Sequence, residues 1–192
     1  MYLSHVRSFA ALAAAAGMLA SCQSVSNVLD SPEPNIGPCP SALSLYDAHR
    51  LVEINGEEIN YENVGFTAEI IGVRSFCSYY GERPILANLE IDMGFGRGPA
   101  ARGNAHTYEY FVAVTRRDMA VIHKEVFPVR VEFDAGEDRV YRTEEIEAIS
   151  IPRAEEGTSG VNFELIVGYE LTPEQIEFNR SGQRFRVAAG QD

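Results

Sequence analysis

The feature that most constrains this chain is a strict two-residue alternation towards its C-terminus. Val161, Phe163, Leu165, Val167, Tyr169 and Leu171 alternate with Asn162, Glu164, Ile166, Gly168 and Glu170, of which only Ile166 is apolar. Side chains two apart share a face only in an extended strand, so this segment has one dry face and one wet face. Ile85, Ala87, Leu89, Ile91, Met93 and Phe95 repeat the pattern against Asn88, Glu90 and Asp92. Two long half-buried strands need a second layer to cover their dry faces.

The rest of the chain supplies that layer. Leu51-Val52-Glu53-Ile54 runs into Asn55-Gly56, the dipeptide that suits a two-residue hairpin turn because both central positions need positive φ. Val64, Phe66, Ala68 and Ile70 alternate until Ile71 and Val73 change phase, which predicts a bulge. Tyr108, Tyr110, Val112 and Val114 face one way while Phe111 and Ala113 face the other, the pattern of a central strand. Arg116-Arg117-Asp118 makes a polar turn, and Phe127, Val129, Val131 and Phe133 return on one side. Pro128 removes a ladder donor, so that strand lies at an edge or is bulged. Asp134 to Asp138 turns the chain into Val140 to Ile151, and a loop rich in Glu, Gly and Ser follows from Pro152 to Gly160.

The period changes at Thr172-Pro173-Glu174-Gln175: Thr as N-cap, Pro at the first helical position and Gln to close a capping box. Ile176 and Phe178 are placed to cover one end of the sheets, and Gly182 ends a short helix. Arg184 to Val187 either adds an edge strand or frays. This pattern predicts an all-β antiparallel β-sandwich with one short C-terminal helix, immunoglobulin-like or fibronectin-like in general shape. The buried Trp of antibody domains has no counterpart, since the chain contains no Trp.

Residues 1–21 have a basic head at Arg7, an apolar run from Phe9 to Ala20 and no acid. The run is shorter than the roughly 20 residues a membrane-crossing helix needs. Leu19, Ala20, Ser21 and Cys22 resemble the lipobox of bacterial lipoproteins. That resemblance implies alkylation of the Cys22 thiol by diacylglycerol, cleavage before Cys22 by signal peptidase II and acylation of the new amine. Two or three acyl chains hold a protein stably on a bilayer, where one does not. Gln23 and Ser24 supply no Asp after the cysteine, which resembles lipoproteins sorted to the outer membrane. The body is similar to envelope lipoproteins of Gram-negative bacteria, among which no functional family is identified.

The expected organisation is a signal peptide over 1–21, a lipidated Cys22 with a flexible tether over 22–38, and a sandwich domain over 39–192. The tether contains Pro32, Pro34 and Pro38 and would span about 20 to 25 Å as a coil. Cys39 and Cys77 are the cysteines left after lipidation of Cys22, and an oxidising periplasm predicts that they pair.

Formal charge is −12, and loss of Arg7 makes the body more acidic still. Such a body is repelled by phosphate polymers and anionic lipid, which argues against nucleic-acid binding and against electrostatic membrane contact. Asp47 and His49 would share a face of an extended segment and are weak candidates for a metal, with His106 and His123 elsewhere. Gly94 to Pro99 has glycines enough to approach a phosphate but lacks the helix and the Lys-Ser/Thr pair of a phosphate loop; it reads as a hairpin loop carrying Arg97 and Arg102. Together with Arg116 and Arg117 these form the candidate recognition set, provided that the two turns meet in space. Gly157-Thr158-Ser159-Gly160 is one residue short of a nucleophile elbow, and Asp134 to Asp138 lacks the carboxylate spacing of a calcium loop. Tyr79 and Tyr80 are candidates for stacking on sugar or peptide.

No convergent catalytic set emerges. The expectation is a non-enzymatic protein without cofactor, lipid-anchored in the outer membrane's inner leaflet and facing the periplasm. It would work as an adaptor or assembly component through contact with an envelope protein. The competing readings are a small-ligand or metal-binding module and a hydrolase using His49 with Asp47.

Overall fold

The computed structural model describes residues 37–79, 81–117, 120–155 and 157–185. They form two four-stranded sheets and one short helix. In chain order the strands are β1 (Ser41–Ser44), β2 (Arg50–Ile54), β3 (Val64–Ser78), β4 (Ile85–Arg97), β5 (Ala105–Arg116), β6 (Val121–Glu132), β7 (Arg139–Ile151) and β8 (Phe163–Tyr169), followed by helix α1 (Pro173–Arg180). One sheet has the order β1-β8-β5-β6, the other β2-β3-β4-β7. All pairs are antiparallel except β1 with β8, which run parallel. The molecule is the expected all-β sandwich, with that one parallel pair added.

The core follows from the alternations. Leu89, Ile91, Met93 and Phe95 of β4 meet Tyr108, Tyr110, Val112 and Val114 of β5 and Phe163, Leu165, Val167 and Tyr169 of β8, all buried. β5 is central, and its other face buries Phe111 and Ala113 under Ala48 in a small second cluster. Gly168 is required there, because a Cβ would stand 2.8 Å from the Phe111 ring and 3.0 Å from Ala48. The phase change in β3 is a bulge between Ile70 and Gly72, after which Val73, Ser75 and Cys77 continue.

The Cys39–Cys77 disulfide has formed, with a Cα separation of 5.5 Å. It joins the segment before β1 to the end of β3 in the other sheet. The same segment is held by Ser75 Oγ, which donates to the Pro40 carbonyl at 2.7 Å, and by Gly160, where a Cβ would lie 2.2 Å from the Pro38 oxygen.

The four outer strands end differently at their free edges. β6 is an edge, as Pro128 predicts. The Arg130 carbonyl accepts from Arg142 Nη1 of β7 at 3.1 Å, so Arg130 points away from β5. Two residues earlier Pro128 points the same way, and its missing N–H costs no ladder bond. β7 is interrupted by a register shift in its pairing with β4. There Ala148 adopts φ 57° and its N–H donates to Asn88 Oδ1 at 3.0 Å.

Three expectations differ. Asn55-Gly56 does not form a two-residue turn: β2 and β3 are joined by 55–63, which ends in a 3₁₀ turn capped by the Asn60 side chain. Gly56 has no positive φ, and the Asn63 side chain packs where its Cβ would stand. The stretch from Gly94 is not a loop until Gly98, since Gly94 to Arg97 belong to β4. A Cβ on Gly98 would lie 2.3 Å from the Val64 carbonyl oxygen, so this glycine serves close backbone packing. Finally, Val161 lies in a 3₁₀ turn capped by Ser159, and the strand begins at Phe163. The predicted capping box of Thr172 and Gln175 is present, and Gly182 takes φ 78° just past the helix. Arg184 and Phe185 are not in a strand, and Arg186 to Asp192 lie outside the described residues.

Candidate functional site

The four candidate arginines do not converge. Arg97 ends β4 and Arg102 lies in the loop before β5, whereas Arg116 ends β5. The length of β5 places roughly 35 to 40 Å between its two ends. Arg117 sits beside the start of β8, its N–H donating to the Asn162 carbonyl. No salt bridge among the described residues involves any of the four, so the structure yields two separate basic pairs at opposite ends of the sandwich.

Asp47 and His49 are also turned apart. The segment Tyr46–Ala48 is a 3₁₀ turn, in which residues two apart point in different directions. Asp47 pairs with Arg180 of α1 at 2.8 Å, and His49 Nδ1 lies 2.5 Å from the Tyr46 carbonyl oxygen. Neither arrangement gives a hydrolytic pair or a ligand pair. Among the described residues no three His, Cys, Asp or Glu side chains gather as a metal site.

The remaining motifs have structural duties. Ser159 caps a turn and Gly160 admits the Pro38 carbonyl. Asp134 to Asp138 forms a turn around Gly136 at φ 87°. Tyr79 is buried, with Arg153 over its ring, which removes it as a stacking platform. Tyr80 and Cys22 lie outside the described residues.

The alternation hid one polar group at the margin of the core, where His106 and Glu53 are half-buried. His106 of β5 stacks on Phe66 at 4.7 Å, meets Tyr108 edge-on at 4.5 Å and holds Nδ1 3.9 Å from Glu53 Oε2 of β2. Glu53 Oε2, the Tyr108 hydroxyl and the Tyr169 hydroxyl are buried without hydrogen-bond partners. Burial pulls the His106 pKa below its ordinary value, the Glu53 carboxylate opposing it. Burial also pushes the Tyr108 and Tyr169 hydroxyls up, and that of Tyr110 to about 12 with help from Glu144. These tyrosines stay protonated at neutral pH. Position gave no hint of it, because Tyr108 and Tyr169 occupy ordinary inward sites of their strands.

The exposed surface offers more. On the outer face of the second sheet Ile71 and Tyr141 flank Gly94, where a Cβ would touch both, and both stay exposed. Next to them Arg74 bridges Glu90 and Asp92, and Thr143 Oγ1 donates to Asp92 at 2.7 Å. Those partners, Arg74 first, hold the Asp92 carboxyl below its usual range. Beyond this charged band Phe76 and Leu86 are again exposed. A separate groove of about 480 Å³ lies between Ile59 and Phe178, rimmed by Glu174 and Glu177.

The chain matches no protein-family model, no curated protein and no solved structure.

Proposed function

We infer that this protein is a lipid-anchored component of the bacterial cell envelope. It faces the periplasm and works by protein contact, as an adaptor or assembly component. The observation that carries the reading is the Cys39–Cys77 disulfide, because such bonds persist in oxidising compartments and are rare in the cytosol. It agrees with the lipobox resemblance at Leu19 to Cys22. No helix among the described residues is long and apolar enough to cross a membrane, and the reading assigns retention on a membrane to acyl chains on Cys22. Contact rather than chemistry is favoured by exposed Ile71, Tyr141, Phe76 and Leu86 on one sheet face, set around a charged band that can fix register.

Cys22→Ser is expected to abolish lipid labelling and release the protein from membranes; retention without label would overturn the anchoring. In-membrane crosslinking followed by mass spectrometry is expected to recover one envelope protein joined to the Ile71 face, and a crosslink pattern without a specific partner would overturn the contact role. The second reading is a small-ligand module, favoured by the groove between Ile59 and Phe178. Native mass spectrometry finding a bound small molecule, with no crosslinked partner, would select it.

A further inference from the structure

No residue of helix α1 is fully buried, Gln175, Ile176, Phe178 and Asn179 being half-buried, and a helix of eight residues is marginal in water by itself. Beside the half-buried Ile176 and Phe178, its polar side chains act on one strand edge. Gln175 Nε2 donates to the Val52 carbonyl at 3.2 Å, and Asn179 Nδ2 to the Arg50 carbonyl at 2.9 Å. The two donors stand one helical turn apart, and the two acceptors stand two residues apart on β2. Both carbonyls point away from β3, since carbonyls at that spacing share a direction and these two are taken by the helix. They are the groups that main-chain N–H donors of one more strand would occupy. Asn179 also reaches the Asp47 carbonyl, and Arg180 holds the Asp47 carboxylate at 2.8 Å, extending the row into the preceding turn.

The other free edges differ. β1 has four residues against five in β2, β6 turns Pro128 outward with Arg142 across its Arg130 carbonyl, and β7, like β2 after Val52, carries a register shift. Among the described residues, β2 has its outward Arg50 and Val52 carbonyls covered by side chains of a helix with no fully buried residue. We propose that α1 is a displaceable plug on β2, and that β2 accepts a basic, extended segment of a partner protein when α1 lifts away. The basic character follows from Asp47: lifting α1 removes Arg180, and a cationic side chain on the incoming strand restores the pair. The acidic balance of the whole chain acts in the same direction.

This deepens the protein-contact reading and rests on it for its biological meaning. The test uses the full chain in detergent. In native-state hydrogen exchange the amides of Ile176 and Ser181 are expected to exchange at least about 100-fold faster than those of Leu89 and Ile91; equal rates would overturn the plug. The labelled peptide Thr-Val-Arg-Val-Arg-Val-Thr is the binding probe. It is expected to bind a Gln175→Ala/Asn179→Ala variant at least about tenfold more tightly than the unaltered chain, and to crosslink to β2. Arg180→Gln, which keeps both amides, should give a smaller gain and guards against a double variant that misfolds. Unchanged affinity in both variants, or crosslinks on β6 or β7, would sink the proposal. Exchange and peptide binding need neither the lipid nor the natural partner, so positive results beside failed in-membrane crosslinking would remove the function above and leave the plug standing.

Discussion

The Lys124 ammonium stands 4.2 Å from the centre of the Phe111 ring, while also pairing with Glu170. Lys124 is the only lysine of the chain, and it closes the outer cluster in which Phe111 lies across Gly168. Lys124→Ala is expected to lower unfolding free energy by about 1 kcal/mol, measured in urea, with Lys124→Arg keeping most of it. Gly168→Ala should cost more, about 2 kcal/mol, because the Phe111 ring must leave its rotamer or the strands must part. Equal, negligible effects from both would mean that the outer cluster contributes nothing.

The disulfide closes a loop with a sequence separation of 38. On the chain-entropy account its loss costs up to about 4 kcal/mol. Cys39→Ser/Cys77→Ser is therefore expected to shift the urea midpoint well down, and reduction of the unaltered protein should reproduce that shift. The check is a pair of denaturation curves with and without reductant; coincident curves would contradict it.

His106 makes stability depend on pH with a definite sign. Its folded-state pKa lies below the ordinary 6.5, so the unfolded chain binds more protons as pH falls through that value. The stabilising contribution is complete above 6.5 and is lost progressively below it. His106→Phe is expected to flatten the urea midpoint between about pH 5 and 7. A slope that survives the substitution would assign the effect to other groups.

Ala148 sits at φ 57°, where an L side chain meets its own carbonyl at a cost of about 1 to 2 kcal/mol. Ala148→Gly removes that strain and adds backbone entropy to the unfolded chain, for a net gain of up to about 1 kcal/mol. Ala148→Val should lose stability, since a β-branched residue resists that conformation further. Thermal midpoints that fall in the order Gly, Ala, Val would meet the expectation.

Much of the fold was legible because alternation is a local signal. β4, β5 and β8 lie where Ile85 to Phe95, Tyr108 to Val114 and Phe163 to Tyr169 alternate, Pro128 marked an edge, and Thr172 with Gln175 marked the helix start. What could not be read depended on residues far apart in sequence. The parallel pairing of Ser41–Ser44 with β8 has no local pattern. Asn55-Gly56 suits a tight turn, but the Asn60 cap and the packing of Asn63 against Gly56 favour the longer loop. Arg97 and Arg116 looked like one patch until β5 was seen to run its full length between them. Gln175 read only as half of a capping box, while its side-chain amide also serves β2.

The disulfide has a mechanical consequence. A pull applied at Cys39 passes across the sulfurs to Cys77, so β1 and β2, which lie between them in the chain, carry no load. The force then enters β3 at its end, and β3 is paired with β4 from Phe66 to Ser78. It is resisted in shear by many ladder bonds at once, where without the sulfur bridge β1 would bear it through four residues. A pull applied at Cys39 would thus load the long β3–β4 ladder rather than the four residues of β1.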